Sequence, residues 1–576
     1  MYKNYIKLNR ILCAILLLAG TQSFGQSFTW VKNAGDNDKF TWGQGVAIDR
    51  QHNEVVCGYQ AGDTHFGSTI APFAGDFDAY LAKYDSSGNV LWVRTIWGPN
   101  TEKAYHVALD TFDNIYVVGQ FNSPFSHLSA TDSIAIIAGG GNRNFFIAKY
   151  DKNGNFLWAQ KGGNAVTGTK DCNAYAVTVD PSGNAVVGGF YQGSMTIAGT
   201  PLTGGAQNLF LAKYSPTGTC LWSKAIQANS MCWVSDIACD SAGNIYPAGK
   251  FGDTLKVGGV PVASNIMGDA AFFGKFNSSG VMQWVKAMPN NEASSTSDNN
   301  FNSGNSIIVD NSGNVYVAGS LLDTVILVPG PSLYIEQSGF IAKYNSSGVQ
   351  TWMQKFGKHK RDVVNGIAFD AAGGLYAVGN YSGSTTIGGM AVTPPSWGYG
   401  NIFVGKFDPA TGNAVWIKTG GGLPVSVNLD MALDIAVDQK NGNIATTGFF
   451  EHQIRFESII TTSASTALSY QDMYLARQFN PVFVSTPPPP PPTGVATVAA
   501  DQYIMYPNPT SGIVTVDLSG AAYHRIVVVD VAGNIVKEME ATTTTCSVDI
   551  RGLAAGTYTI GVSDNQTILW KKLVKM

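Results

Sequence analysis

Val177-Thr178-Val179-Asp180-Pro181-Ser182-Gly183-Asn184-Ala185-Val186-Val187-Gly188 is followed by Leu211-Ala212-Lys213-Tyr214 and, one turn later, by Leu221-Trp222. An apolar run ending in Asp, a Gly-Asn turn and a second apolar run read as one β-hairpin. The Ala-Lys-Tyr and Leu-Trp segments read as another. The pattern recurs along the chain. Its Trp falls at 30, 92, 158, 222, 284, 352 and 416, and its Asp at 49, 110, 180, 240, 310, 370 and 438. Its cation falls at Lys83, Lys149, Lys213, Lys275, Lys343, Lys406 and Arg477. Three independent markers each count seven units of about four strands, and no stretch carries a helical period.

A four-stranded sheet cannot bury both apolar faces alone, whereas sheets arranged radially bury them against one another. The spacing therefore predicts an all-β chain built on a seven-bladed β-propeller over 26–485. The seventh unit has its cation strand at Tyr474-Leu-Ala-Arg477 but no Trp strand after it. Phe28-Thr-Trp30-Val-Lys32 matches Leu91-Trp92-Val93-Arg94 and is expected to supply that missing outer strand, closing the ring. Over about residues 28–484 the chain resembles bacterial β-propeller repeats of the Asp-x-x-Gly-Asn-x-Tyr-Val-x-Gly plus Asp-Ala-Phe-x-Ala-Lys-Tyr type. That resemblance speaks to fold and hardly to function, because propellers serve as enzymes, receptors and scaffolds.

Both ends read as export signals. Lys3, Lys7 and Arg10 precede the apolar run Ile11 to Ala19, with Ser23-Phe24-Gly25 as a cleavage site, so 1–25 is expected to be a signal peptide. The run is too short to span a bilayer, and no later segment is long enough to try. Cys13 lies inside it, which argues against a lipoprotein anchor. Residues 486–502 form a linker containing the stiff run Pro487 to Pro492. Beyond it, 503–576 reads as a small immunoglobulin-like β-sandwich. Its landmarks are Tyr506-Pro-Asn-Pro-Thr-Ser-Gly512, Ile526-Val-Val-Val-Asp530, Ala532-Gly-Asn534, Leu553-Ala-Ala-Gly-Thr-Tyr558 and Lys571-Lys-Leu-Val-Lys575. In these motifs it resembles the type A C-terminal sorting domain of the type IX secretion system. The resemblance implies the type IX machinery as partner, passage from the periplasm across the outer membrane, and a secreted or surface-attached product.

Composition narrows the function. Charged residues make up 13% of the chain and the net charge is −4, more acidic by three once the leader's cations are removed. This excludes nucleic acid or an anionic membrane as general partner. The histidines form no His-Glu-x-x-His motif, and no Gly-x-Ser-x-Gly elbow is present. Asp151-Lys-Asn153-Gly-Asn155 starts like a calcium loop but has Gly162 where the twelfth position needs Glu. Gly400 to Lys406 mimics a phosphate loop but continues into Phe407 and is a repeat strand. No cofactor, metal or catalytic residue is predicted. Cys57, Cys172, Cys220, Cys232, Cys239 and Cys546 follow no dense framework: either Cys172 and Cys232, at the same repeat position, form a bridge, or all are small buried residues.

Residues present in every unit build the unit, so function is sought where units differ. Two residues before the Asp lie mostly small side chains, among them Ala47, Ala108 and Ala436, as crowding near an axis requires. Four residues before it lie Gly45, His106, Ala176, Asp236, Ser306, Gly366 and Asp434. His106, Asp236, Ser306 and Asp434, with Tyr105 and Tyr175 beside them, are the expected binding residues at the channel mouth. The leading expectation is a non-enzymatic exported module binding an extracellular glycan or protein. The alternative is a secreted polysaccharide hydrolase or lyase acting at the same mouth.

Overall fold

The computed structural model describes residues 27–479 and 504–575, apart from 37–38, 130–131, 136–142, 164–169, 229, 289–301, 328–332, 358–361, 395–399, 423–428, 465–469, 519–524, 530–534, 542 and 564–567. The expected signal peptide and proline linker lie outside the described residues. The chain divides into two compact units, Met1–Pro481 and Val482–Met576. Every named element among the described residues is a strand. Among the described residues, no helix is long and apolar enough to cross a membrane. The fold is all-β, and its first unit is propeller-like.

In that first unit, antiparallel pairing gives four-stranded sheets that follow the sequence repeat. In the third, Cys172–Val179, Ala185–Ile197, Thr200–Tyr214 and Cys220–Ala228 pair in that order. The last combines Met431–Val437, Ile444–Glu451 and Gln471–Phe479 with Ser27–Ala34 from the start of the chain. Trp30 stands opposite Arg477 there, as Trp92 stands opposite Lys83 in the first sheet. The strands that end in the repeated Asp contact one another in cyclic order, and Thr41–Ile48 of the first sheet touches Met431–Val437 of the last.

The repeat residues act locally and between neighbours. Asp180 Oδ1 accepts hydrogen bonds from the Ser182 and Asn184 amides, both at 2.9 Å, and Gly183 takes φ 78° to complete the turn. Lys213 Nζ reaches Asp180 at 2.6 Å and donates to the Ser278 carbonyl of the next unit at 3.2 Å. The Trp222 indole donates to that same carbonyl at 3.3 Å. The same arrangement recurs at Lys149 and Trp158, which share the Pro216 carbonyl. The repeated Asp, Lys and Trp are therefore consumed in holding unit to unit.

All six cysteines of the expected mature chain are free, so Cys172 and Cys232 form no bridge. Both are buried within apolar clusters. The C-terminal unit holds a three-stranded sheet, Ile504–Tyr506, Ile513–Asp517 and Thr545–Asp549. It also holds a four-stranded sheet, Ile535–Glu540, Arg525–Val529, Gly556–Ser563 and Ile568–Lys575. Val514, Val516 and Val548 of the first share one core with Ile526, Val528, Ile560 and Leu573 of the second.

Candidate functional site

A β-bulge repeated in every unit builds the site. In each strand that ends in the repeated Asp, pairing skips one residue, five before that Asp. The fourth unit passes from Val234↔Gly249 to Asp236↔Ala248, leaving Ser235 without a partner. The skipped residues are Gln44, Tyr105, Tyr175, Ser235, Asn305, Asn365 and Leu433. A bulge re-aims the side chain it frees, and all seven line one cavity of ≈ 830 Å³.

The glycine of each Tyr-Val-x-Gly strand makes the bulge possible. A Cβ on Gly249 would stand 2.0 Å from the Trp233 carbonyl oxygen, and one on Gly319 would stand 1.8 Å from that of Ser303. Gly58, Gly119, Gly189, Gly379 and Gly448 meet the corresponding carbonyl at 1.9–2.1 Å. A side chain at any of them would push the inner strand away.

The cavity wall is segregated by chemistry. Rings follow one another around one side. Phe449 stacks on Trp42 at 4.6 Å, Trp42 lies 5.3 Å from Tyr59, and Tyr59 lies 6.4 Å from Tyr105. Tyr105 lies 4.9 Å from Tyr175, and Tyr175 lies 6.4 Å from Trp233. Lys103 sits 4.3 Å over the Tyr59 ring and Lys250 sits 4.0 Å over Trp233, backing the aromatic arc with cations. Burial lowers the pKa of both lysines, and raises that of Tyr105 and Tyr175. The other side carries the polar groups Ser303, Asn305, Ser306, Ser320, Gln337 and Asn365, with the apolar side chains Val363, Leu429, Met431 and Leu433 also in the lining. Asn305 Nδ2 donates to the Val364 carbonyl at 3.2 Å and Asn365 Nδ2 to the Ala432 carbonyl at 2.7 Å, which fixes both amides.

His106, Asp236, Ser306, Asp434, Tyr105 and Tyr175 all line this cavity. The four residues that lie four before the Asp also bond to the next unit. Asp434 Oδ2 accepts from the Val46 amide at 2.8 Å, and Asp236 Oδ2 from the Ile307 amide and the Ser306 hydroxyl, both at 2.9 Å. Ser306 Oγ accepts from the Ile367 amide at 3.2 Å, and His106 Nδ1 lies 3.1 Å from the Val177 carbonyl oxygen. Where the position is Gly45 or Gly366, an added Cβ would stand 3.2 or 3.1 Å from the next unit's amide nitrogen. Burial raises the Asp434 carboxyl to about 6, with His106 opposing and Asp236 adding to the rise.

Sequence reasoning missed the role of the residue five before the Asp, and missed Trp42, Tyr59, Trp233 and Phe449. The glycine column was the available signal: it is invariant in the repeat and pairs with the residue just before the bulged one, as Gly249 pairs with Val234. No group of three or more His, Cys, Asp or Glu able to hold a metal occurs among the described residues.

Residues 504–576 match the family described as Secretion system C-terminal sorting domain. The chain carries a secretion-system sorting domain at its C-terminus. An uncharacterized WD repeat-containing protein of Acanthamoeba polyphaga mimivirus is 27% identical over 191 residues, which is 30% of this chain. This chain spans 13% of that relative's length. Among solved structures, a mitotic checkpoint complex chain gives a TM-score of 0.37 at 9% identity, covering 74% of this chain and 90% of that one. Hydrazine synthase of Kuenenia stuttgartiensis gives 0.33 at 8% identity, covering 74% and 97%. A mutant apocarotenoid oxygenase of Synechocystis gives 0.29 at 12% identity, covering 91% and 97%.

Proposed function

We propose that this chain is an exported glycan-binding module, delivered through its C-terminal sorting domain and taking its ligand in the cavity at the bulged ends of the inner strands. One observation carries the reading: an arc of rings from Phe449 to Trp233 faces a wall of fixed amides and hydroxyls. A sugar has the same two-sided character. Its C–H faces lie against rings, and its hydroxyls need donors and acceptors at set positions. The amides of Asn305 and Asn365 are held by neighbouring units, so little ordering entropy is lost when a ligand meets them.

The test is to challenge the full chain with a panel of extracellular polysaccharides, following both retention and the release of reducing ends. Retention without release is expected. Tyr175→Ala, which removes a half-buried ring between Tyr105 and Trp233, should weaken retention by about tenfold while leaving the unfolding midpoint within a few degrees. Retention that Tyr175→Ala leaves unchanged would move the site elsewhere. Reducing-end release lost in Asp236→Asn/Asp434→Asn would make the chain a hydrolase or lyase instead.

A further inference from the structure

The charges of the cavity add a chemical class to that ligand. Among the described residues, its lining contains two carboxylates, Asp236 and Asp434, together with His106, and no Lys or Arg. Three cations among the described residues lie near the aromatic arc and outside the lining: Lys103 and Lys250, each over a ring face, and Arg143, which acts on Tyr105 and Tyr175 and is paired with Asp171 at 3.5 Å. One of them, Lys250, is already matched by Asp269 at 2.8 Å.

Each carboxylate is aimed by backbone donors. Asp236 accepts from Ile237 at 2.7 Å and Ile307 at 2.9 Å, and Asp434 from Ile435 and Val46, both at 2.8 Å. Amide donors fix an anion and leave its formal charge in place, and a carboxylate has about four acceptor sites. Neither group is ion-paired to Lys or Arg among the described residues. Asp236 belongs to the fourth unit and Asp434 to the seventh, so they bracket the polar wall that the fifth and sixth units supply. The groups facing Asp434 are His106 and Asp236, with the Cys57 thiol close behind.

A ligand matched to this cavity presents a flat C–H face on one side and positive charge on the other. The ring faces favour a cation too, because their quadrupoles are negative. Resting on the glycan reading above, we propose that the ligand is an amine-bearing sugar, its ring laid on the aromatic arc and its ammonium groups held by Asp236 and Asp434.

A matched series tests this on the full, unaltered chain by calorimetric titration at pH 7. The probes are the β-1,4-linked glucosamine hexamer, its N-acetylated counterpart, cellohexaose and hexalysine. The three sugars share a backbone geometry and differ only in the group at C2. The glucosamine hexamer should bind at least about tenfold tighter than the other three. That advantage should shrink in 0.5 M salt and vanish in Asp236→Asn/Asp434→Asn. Asparagine keeps an acceptor oxygen for each backbone amide, and the series on the unaltered chain decides even if the variant unfolds. Equal binding of all three sugars would overturn the amine inference and leave the glycan reading standing. Hexalysine binding as tightly as the glucosamine hexamer would show that any polycation suffices and overturn the sugar assignment. Binding of none of the sugars, together with failure of the polysaccharide panel, would overturn both readings.

Discussion

Arg477 takes the place that lysine holds in the other six units, and the change of residue type coincides with the seam where the last sheet meets the first. Lys83, Lys149, Lys213 and Lys406 pair with the repeated Asp of their own sheet. Arg477 instead pairs with Glu54 in the first sheet and donates to the His52 carbonyl at 2.9 Å, while His52 Nδ1 meets Asp438 at 2.5 Å. Lys213 divides its two bonds between its own sheet and the next, whereas both acceptors of Arg477 lie on the first sheet, and a planar guanidinium suits a carboxylate partner there. Burial raises the Glu54 carboxyl to about 8 even against the Arg477 charge. Removing the arginine strands a buried acid, and stranded buried charges cost about 3–5 kcal/mol. Arg477→Met should therefore lower the unfolding free energy by that amount in urea titrations at pH 9, and adding Glu54→Gln should recover at least half. A loss below about 1 kcal/mol would mean that the pair does not hold the seam. Residue by residue, the sequence was legible where all units agree: Asp, Lys, Trp and Gly could be assigned to building. At the cavity it was legible to within one position. Tyr175 is a bulged residue and Asp236 is the neighbour of one, but period-2 alternation cannot reveal the bulge that brings Gln44, Ser235, Asn305, Asn365 and Leu433 into the same lining.

At the scale of elements, the first strand and the last sheet are each incomplete without the other. Ser27–Ala34 covers the edge of Gln471–Phe479, and Phe28 and Val31 enter the core that holds Tyr376, Phe456 and Tyr474. The Phe28 ring lies 4.6 Å from that of Phe456. Removing a buried Phe side chain costs about 3–5 kcal/mol, so a chain starting at residue 35 loses a large part of ordinary domain stability and exposes a strand edge. Its unfolding midpoint should fall by at least about 10 °C, and a synthetic peptide of residues 27–34 added in trans should restore it. A truncated chain as stable as the parent would show that the pairing contributes nothing. Other outer edges are covered by a device the repeat did not disclose. Hairpins lengthened beyond the common pattern reach back to the preceding sheet, pairing Gly162 with Ile197, Gln227 with Lys256 and Gly420 with Phe456. These stretches are where the units differ in length and composition, so the periodic signal that located the strands falls silent there.

For the whole molecule, the distribution of buried acids sets how stability should vary with pH. Burial lifts Asp78 and Glu102 to about 7, Asp430 to about 8, and Asp434 and Asp472 to about 6. Unfolded carboxyls titrate near 4, so between about pH 4 and pH 8 the native chain binds more protons than the unfolded one. Stability then falls as pH rises through that window, because the unfolded state sheds its protons first and gains from doing so. The opposite group is made of the turn aspartates. Burial opposes ionisation of Asp49, Asp180 and Asp240, but hydrogen bonds from Lys83 and Asn53, from Lys213 and Asn184, and from Asn244 prevail and lower their pKa values. Their contribution is present above about pH 4 and is lost on acidification below it. The two sets together place the stability maximum near pH 5. Urea titrations at pH 3, 5, 6.5 and 8.5 should show the unfolding free energy highest at pH 5 and at least about 2 kcal/mol lower at pH 8.5, about one and a half units of native-state proton excess. Asp430→Asn should flatten the alkaline side, since it removes the acid with the highest of these values while keeping an acceptor for the Gly422 and Glu451 amides. A stability that rises steadily from pH 5 to pH 8.5 would mean that the buried acids ionise at no cost. The interior of the sheets would then be far better solvated than the full burial of Asp78, Glu102 and Asp430 allows.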